Sequence, residues 1–147
     1  MADAKGSFSS RVRVYAKDIP LVANEIKKRF AVDIATEIVP STPVDTGQAR
    51  SNWNGSVGAP DFSTRPTEGR SGDNAIQRIA RKVRAATPGA GIFISNGLPY
   101  INRLNNGWSK QAPAGFIEAA YQRALARLRR IQWSEYQRAA KRTSGGG

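Results

Sequence analysis

From Val22 to Ile38 an apolar residue stands at every fourth position: Val22, Ile26, Phe30, Ile34 and Ile38, with Ala31 and Ala35 filling the same face. On a helix of 3.6 residues per turn that spacing gathers them into one stripe, while Lys27, Lys28 and Asp33 fall elsewhere around the wheel. Asp18 as N-cap and Pro20 in the first turn mark the start. Pro40 and Pro43 mark the stop, because proline restricts the residue before it to extended conformations. A helix of about twenty residues with a single apolar stripe needs a surface to cover that stripe, and this requirement organises the rest of the chain.

Two further helices and a few short strands can provide that surface. Asp73 opens a helix with apolar Ile76, Ile79, Ala80 and Val83 and basic Arg78, Arg81, Lys82 and Arg84 between them. A last helix, from Pro113 to Arg142, carries Phe116, Ile117, Ala120, Tyr121, Ala124, Leu128 and Ile131 on one stripe and Arg123, Arg127, Arg130 and Arg138 around the rest. "GIFIS" at Gly91–Ser95 reads as a strand bounded by Gly, and "ARSNWNGSVG" as another with Trp53 and Val57 on one side. "RVRVY" at Arg11–Tyr15 alternates as a short strand does. The expected class is α+β: a small antiparallel sheet packed against a long N-terminal and a long C-terminal helix in a single domain. Residues 1–17 read as an arm and short strand and residues 18–142 as the domain. Residues 59–72, without periodicity and with two prolines, read as a mobile loop, and 143–147, ending in "GGG", as a flexible tail.

At 147 residues one core suffices. The chain has no Cys and no His, which removes the usual zinc ligand sets, the thiolate nucleophile, the imidazole base and any disulfide framework. Its carboxylates are scattered singly, and no Gly-rich phosphate cradle is present. The expectation is a protein that is not an enzyme and holds no cofactor or metal. Lys and Arg number 23 against 11 Asp and Glu, a formal charge of +12. Such a surface seeks polyanions: nucleic acid, an anionic membrane or an acidic protein face. The apolar runs are too short to cross a bilayer, and no signal-peptide core stands at the N-terminus.

Two stretches, "PVDTGQARSNW" at Pro43–Trp53 and "SNGLPYINRLNNGWSKQAPAGF" at Ser95–Phe116, concentrate Gly, Pro, Asn and aromatic residues. Asp45 and Gly47 suit a tight turn. Pro99 can begin a helical turn that groups Tyr100, Ile101 and Leu104, and Pro113 can open the last helix. Trp53 reads as a core or loop anchor; Trp108 is divided evenly between anchor and interface hot spot.

In this order and spacing the two stretches resemble the tail-completion and neck proteins of tailed bacteriophages, lambda-like and related virion proteins of the head-tail joint or minor tail. The resemblance spans roughly residues 20 to 135. It rests on Pro43, Thr46 and Gly47, then Asn96, Pro99, Tyr100 and Gly107, then Gln111, Ala112, Pro113, Gly115 and Phe116, with Trp53 completing the first motif. Where relatives often carry Glu, this chain has Asn105 and Asn106, which removes the charge from any contact there.

The resemblance implies a structural virion role without turnover: a component joining tail to head around the DNA channel, assembled in the host cytoplasm. The partners it implies are other neck and tail proteins, such as a tail terminator, the connector or the tape-measure region. It also implies a homo-oligomeric ring, six-fold by analogy with tail symmetry and twelve-fold otherwise. Subunit contacts are expected at Asp61, Phe62 and Arg65 in the loop and at Tyr100, Arg103, Asn106, Trp108 and Gln111. Arg123, Arg127, Arg130 and Arg138 are expected to meet double-stranded DNA or an acidic ring, so that reversing Arg123, Arg127 and Arg130 together would block joining without unfolding. The rival expectation is a basic nucleic-acid-binding protein acting outside the virion, although strands and long loops interrupt any helix-turn-helix.

Overall fold

The computed structural model describes the backbone of residues 8–144 and the side chains of residue 21 and residues 23–131. Helix α1 runs Phe8–Ser41, 34 residues, and at 1.5 Å per residue is about 50 Å long. The expected strand at Arg11–Tyr15 is therefore helical. Its alternation is short enough to satisfy both periods, and Val12, Tyr15 and Ile19 extend the stripe of Val22 and Ile26 upstream at three- and four-residue steps. Pro20 lies inside this helix rather than in its first turn. Expectations for the arm at residues 1–7 and the tail at 145–147 lie outside the described residues; residues 143 and 144 belong to the last helix.

The core side of α1 is made by two alanines and two β-branched residues. Ala31, Ala35, Ile38 and Val39 are buried, whereas Ile26, Phe30 and Ile34 are half-buried on its flank. Helix α2, Gln48–Ser51, is one turn that follows Gly47, whose φ of 93° is available to glycine without strain. Strands β1, Trp53–Val57, and β2, Ile92–Asn96, form a two-stranded antiparallel sheet in which Trp53 pairs with Asn96, Gly55 with Ile94 and Val57 with Ile92. Helix α3, Asp73–Val83, buries Ala75, Ile79 and Val83 at four-residue spacing. It comes down on Gly55, where a Cβ would stand 2.9 Å from Ile79 Cγ2, so glycine in the middle of β1 sets the distance of helix from sheet. Helix α4 is Ile101–Asn105 and α5 is Phe116–Ser144, with Phe116, Ala120 and Ala124 buried along the latter. The fold is α+β with one hydrophobic core shared by α1, α3, the sheet and the start of α5. Trp53 is an anchor at 4 % exposure, its indole N–H donating to Thr42 Oγ1 at 2.9 Å.

Residues 59–72 lack regular structure, as expected, but buried side chains fasten them to the domain. Asn52, fully buried, accepts from the Arg65 N–H at 2.7 Å and donates to the Arg65 carbonyl at 3.0 Å and the Gln48 carbonyl at 2.8 Å. Asn54 donates to the carbonyls of Asp61 and Ser63, Ser95 Oγ donates to the Asp61 carbonyl, and Ser51 Oγ accepts from the Glu68 N–H. Two glycines let the strap lie flat: a Cβ at Gly47 would stand 2.0 Å from the Gly69 oxygen, and one at Gly97 would stand 1.9 Å from the Phe62 oxygen.

Asn52→Ala would leave the Arg65 backbone groups without their partner, and a buried unsatisfied group costs about 1–3 kcal/mol. We expect the urea midpoint to fall accordingly, and amide exchange at Ser63–Glu68 to accelerate well before global unfolding. Gly97→Ala should loosen the same amides through backbone overlap, whereas Gly89→Ala, with open space around it, should cost only the roughly 1 kcal/mol of a positive φ and leave strap exchange unchanged.

Candidate functional site

The two glycine- and asparagine-rich stretches meet each other. At the end of β2, Asn96 Nδ2 donates to the Ala49 carbonyl in α2 at 2.9 Å. Gln111 Oε1 then accepts the Val44 N–H at 2.8 Å, tying the segment ahead of α5 to the Pro43–Gly47 turn. Between them lies a polar cavity of about 260 Å³ lined by Pro43, Asp45, Thr46, Tyr100, Ser109 and Gln111 among others. Partial burial raises the Tyr100 hydroxyl above its ordinary pKa.

Asn105 closes the other end of this segment. Its side-chain oxygen accepts the Ile117 N–H at 2.9 Å in the first turn of α5, its amide nitrogen donates to Glu118 at 3.0 Å, and its backbone oxygen accepts from Gly115 N–H. An amide both accepts from a helix N-terminus and donates to a carboxylate, which a Glu at this position could not do when ionised. The hydrogen bond from Asn105 is also the first cause of a lowered Glu118 pKa.

The residues expected at subunit contacts separate into anchors and exposed groups. Arg65 is an anchor of the strap, donating Nη2 to Asn54 Oδ1 at 3.2 Å as well as using its backbone, and Gln111 is engaged with Val44. Asp61 makes a local turn in which Ser63 N–H donates to its carboxylate, and that Ser63 contact holds its pKa below the ordinary value. Phe62, Tyr100 and Trp108 are the exposed aromatics of the group, at 62 %, 38 % and 73 %. Arg103 sits over the Trp108 indole, 5.2 Å from its centroid, and Asn106 is exposed.

The arginines of α5 differ more from expectation. Arg123 Nε donates to Glu37 Oε2 at 2.7 Å and its Nη2 to Ser41 Oγ at 2.7 Å. Arg127 reaches Glu37 Oε1 at 2.6 Å and Asp33 Oδ1 at 3.7 Å. These two side chains clamp α5 antiparallel to α1. Phe30 and Tyr121 reinforce the clamp edge-to-face at 5.8 Å. Of the four residues expected to face a polyanion, Arg130 is exposed without a partner, and the Arg138 side chain lies outside the described residues. Among the described residues the other cations free of ion pairs and hydrogen bonds include Arg29, Arg81, Lys82, Arg84 and Arg129. Sequence reasoning missed Asp33 and Glu37 as the acids that neutralise α5. They stand four apart on one helix, which was legible, but their partners are 86 to 94 residues away.

Among the described residues no group of three carboxylates could hold a metal ion, and no helix is long and apolar enough to cross a membrane. Apolar cavities of about 540 Å³ beside the sheet and about 390 Å³ around Leu21, Ile26, Leu128 and Ile131 flank the α1–α5 pair. No protein-family model matches the chain, and neither does any curated protein or any solved structure.

The clamp predicts a pH dependence. The Arg123 hydrogen bond, partly opposed by burial and aided by Arg127, holds Glu37 below its ordinary pKa of 4.5. Its contribution is therefore complete above about pH 4.5 and is lost as pH falls through the lower, folded-state value. Glu37→Gln should flatten that part of the stability profile in acid urea titrations. Arg123→Glu with Arg127→Glu should lower stability by on the order of 1–2 kcal/mol, the exposed guanidiniums keeping the loss small. Charge reversal at these two positions therefore tests the fold as well as any contact with a polyanion.

Proposed function

We propose that this chain is a structural virion protein of a tailed bacteriophage, a tail-completion or neck component that joins tail to head around the DNA channel and performs no catalysis. One observation carries the reading. The two stretches that resemble that family are not parts of an isolated pocket: they fold against each other and frame a long strap, leaving Phe62, Tyr100 and Trp108 exposed. Exposed aromatics held on a hydrogen-bonded frame suit contacts made in an assembly, where Trp and Tyr are enriched among the few residues that dominate binding. A ring of such subunits uses different surfaces for its two neighbours, and the strap and the Tyr100–Gln111 segment are the surfaces assigned to them here.

A second reading, a basic nucleic-acid-binding protein acting outside the virion, is favoured by the exposed unpaired cations of α1, α3 and α5. Such a protein binds duplex DNA on its own with a steep salt dependence. The discriminating experiment is electron microscopy of lysates from the parent phage lacking this gene, with a complemented control. Filled heads beside finished, unattached tails are the expected result. Ordinary infectious particles would remove the protein from the virion and favour the second reading.

A further inference from the structure

We infer that the cationic groove between α1 and α3 is a docking site for an acidic protein segment that also carries apolar side chains. The groove has a volume of about 530 Å³, and Val32, Ala80 and Val83 form its apolar lining. Lys28, Arg29 and Arg84 stand around it, and Glu25 is the single carboxylate in its wall. Glu25 is already held by Lys28 at 3.0 Å.

Arg29 and Arg84 are exposed and have neither an ion pair nor a hydrogen bond. Asp33, one turn beyond Arg29 on the same helix, pairs instead with Arg127. Among the described residues the wall of the groove therefore carries three cations against one carboxylate that Lys28 already holds, and it lies on α1 and the end of α3, not on the face of α5 that the clamp engages.

The chemistry of the lining selects among polyanions. A phosphate backbone satisfies guanidinium groups but offers nothing apolar to cover Val32 and Ala80. A peptide that alternates carboxylates with aliphatic side chains does both: each guanidinium can take a carboxylate through two parallel N–H bonds while the aliphatic groups leave water for the groove. The inference deepens the joint reading by assigning the contact with an acidic neighbour to this groove, and it is tested apart from particle assembly.

The probe is a short fluorescent peptide of alternating Leu and Glu, measured by anisotropy at physiological salt, beside an all-Glu peptide and duplex DNA. Arg29→Glu with Arg84→Glu should weaken binding of the Leu-Glu peptide at least about tenfold, as expected when close charge pairs are reversed. Arg129→Glu with Arg130→Glu, an identical change in net charge, should alter it by about twofold or less. The all-Glu peptide should bind wild type more weakly than the alternating one. Arg29→Gln with Arg84→Gln, checked for folding by circular dichroism, gives the same comparison without charge reversal.

No binding of the Leu-Glu peptide to wild type, or equal losses in the two charge-matched variants, overturns the inference. So does a loss confined to duplex DNA, which would make the groove a phosphate-binding surface. None of these outcomes touches the joint reading, which stands or falls on the deletion micrographs.

Discussion

The carboxamide of Asn52 is the hub on which the irregular strap at residues 59–72 depends. Fully buried at the end of α2, it accepts from the Arg65 N–H and donates to the Arg65 and Gln48 carbonyls. Irregular backbone near a core must pair its polar groups, because each one left buried and unpaired costs more than an ordinary hydrogen bond contributes. Asn52, Asn54, Ser51 and Ser95 supply these partners from α2, β1, β2 and the turn between α2 and β1, and so stand in for the hydrogen bonds that a regular strand would have made. The small sheet is then stabilised on one side by helices and on the other by a strap.

The arrangement of charge follows a similar economy of position. A chain with a formal charge of +12 has few acids to distribute, and α1 places two of them, Asp33 and Glu37, against α5. They align the two long helices and leave the positive excess to other surfaces, chiefly the α1–α3 groove and the outer face of α5. Partly exposed ion pairs contribute modestly to stability; their larger effect here is to decide which arginines are available to a partner.

Much of the fold was legible in the sequence because it followed from periodicity. The helix at Asp73, the strand in "GIFIS" and the last helix beginning near Pro113 all appear within a few residues of their expected bounds. The strand at Arg11–Tyr15 did not, since so short a run obeys two periods and the continuous stripe of α1 prevailed. The candidate site was legible in part. Trp53 as an anchor follows from local context, but Trp108 stood evenly between anchor and hot spot until the structure exposed it, and Arg65, Gln111, Arg123 and Arg127 look like free polar residues until their distant partners are in place. Asn105 at a position where a charged residue was looked for is a helix-capping group, which only the return of the chain at Ile117 explains.

The sequence by itself determined the class of the fold, the absence of cysteine and histidine chemistry, and the strong net positive charge, because these depend on composition and on spacing along one element. Tertiary structure alone decided which cations are free, which loop is fastened and which glycines are essential. Those properties depend on contacts such as Gly97 against Phe62 and Glu37 against Arg127, between residues 35 and 90 positions apart. No local pattern encodes which distant backbone will approach a glycine or which carboxylate will meet a guanidinium; packing of the core settles both.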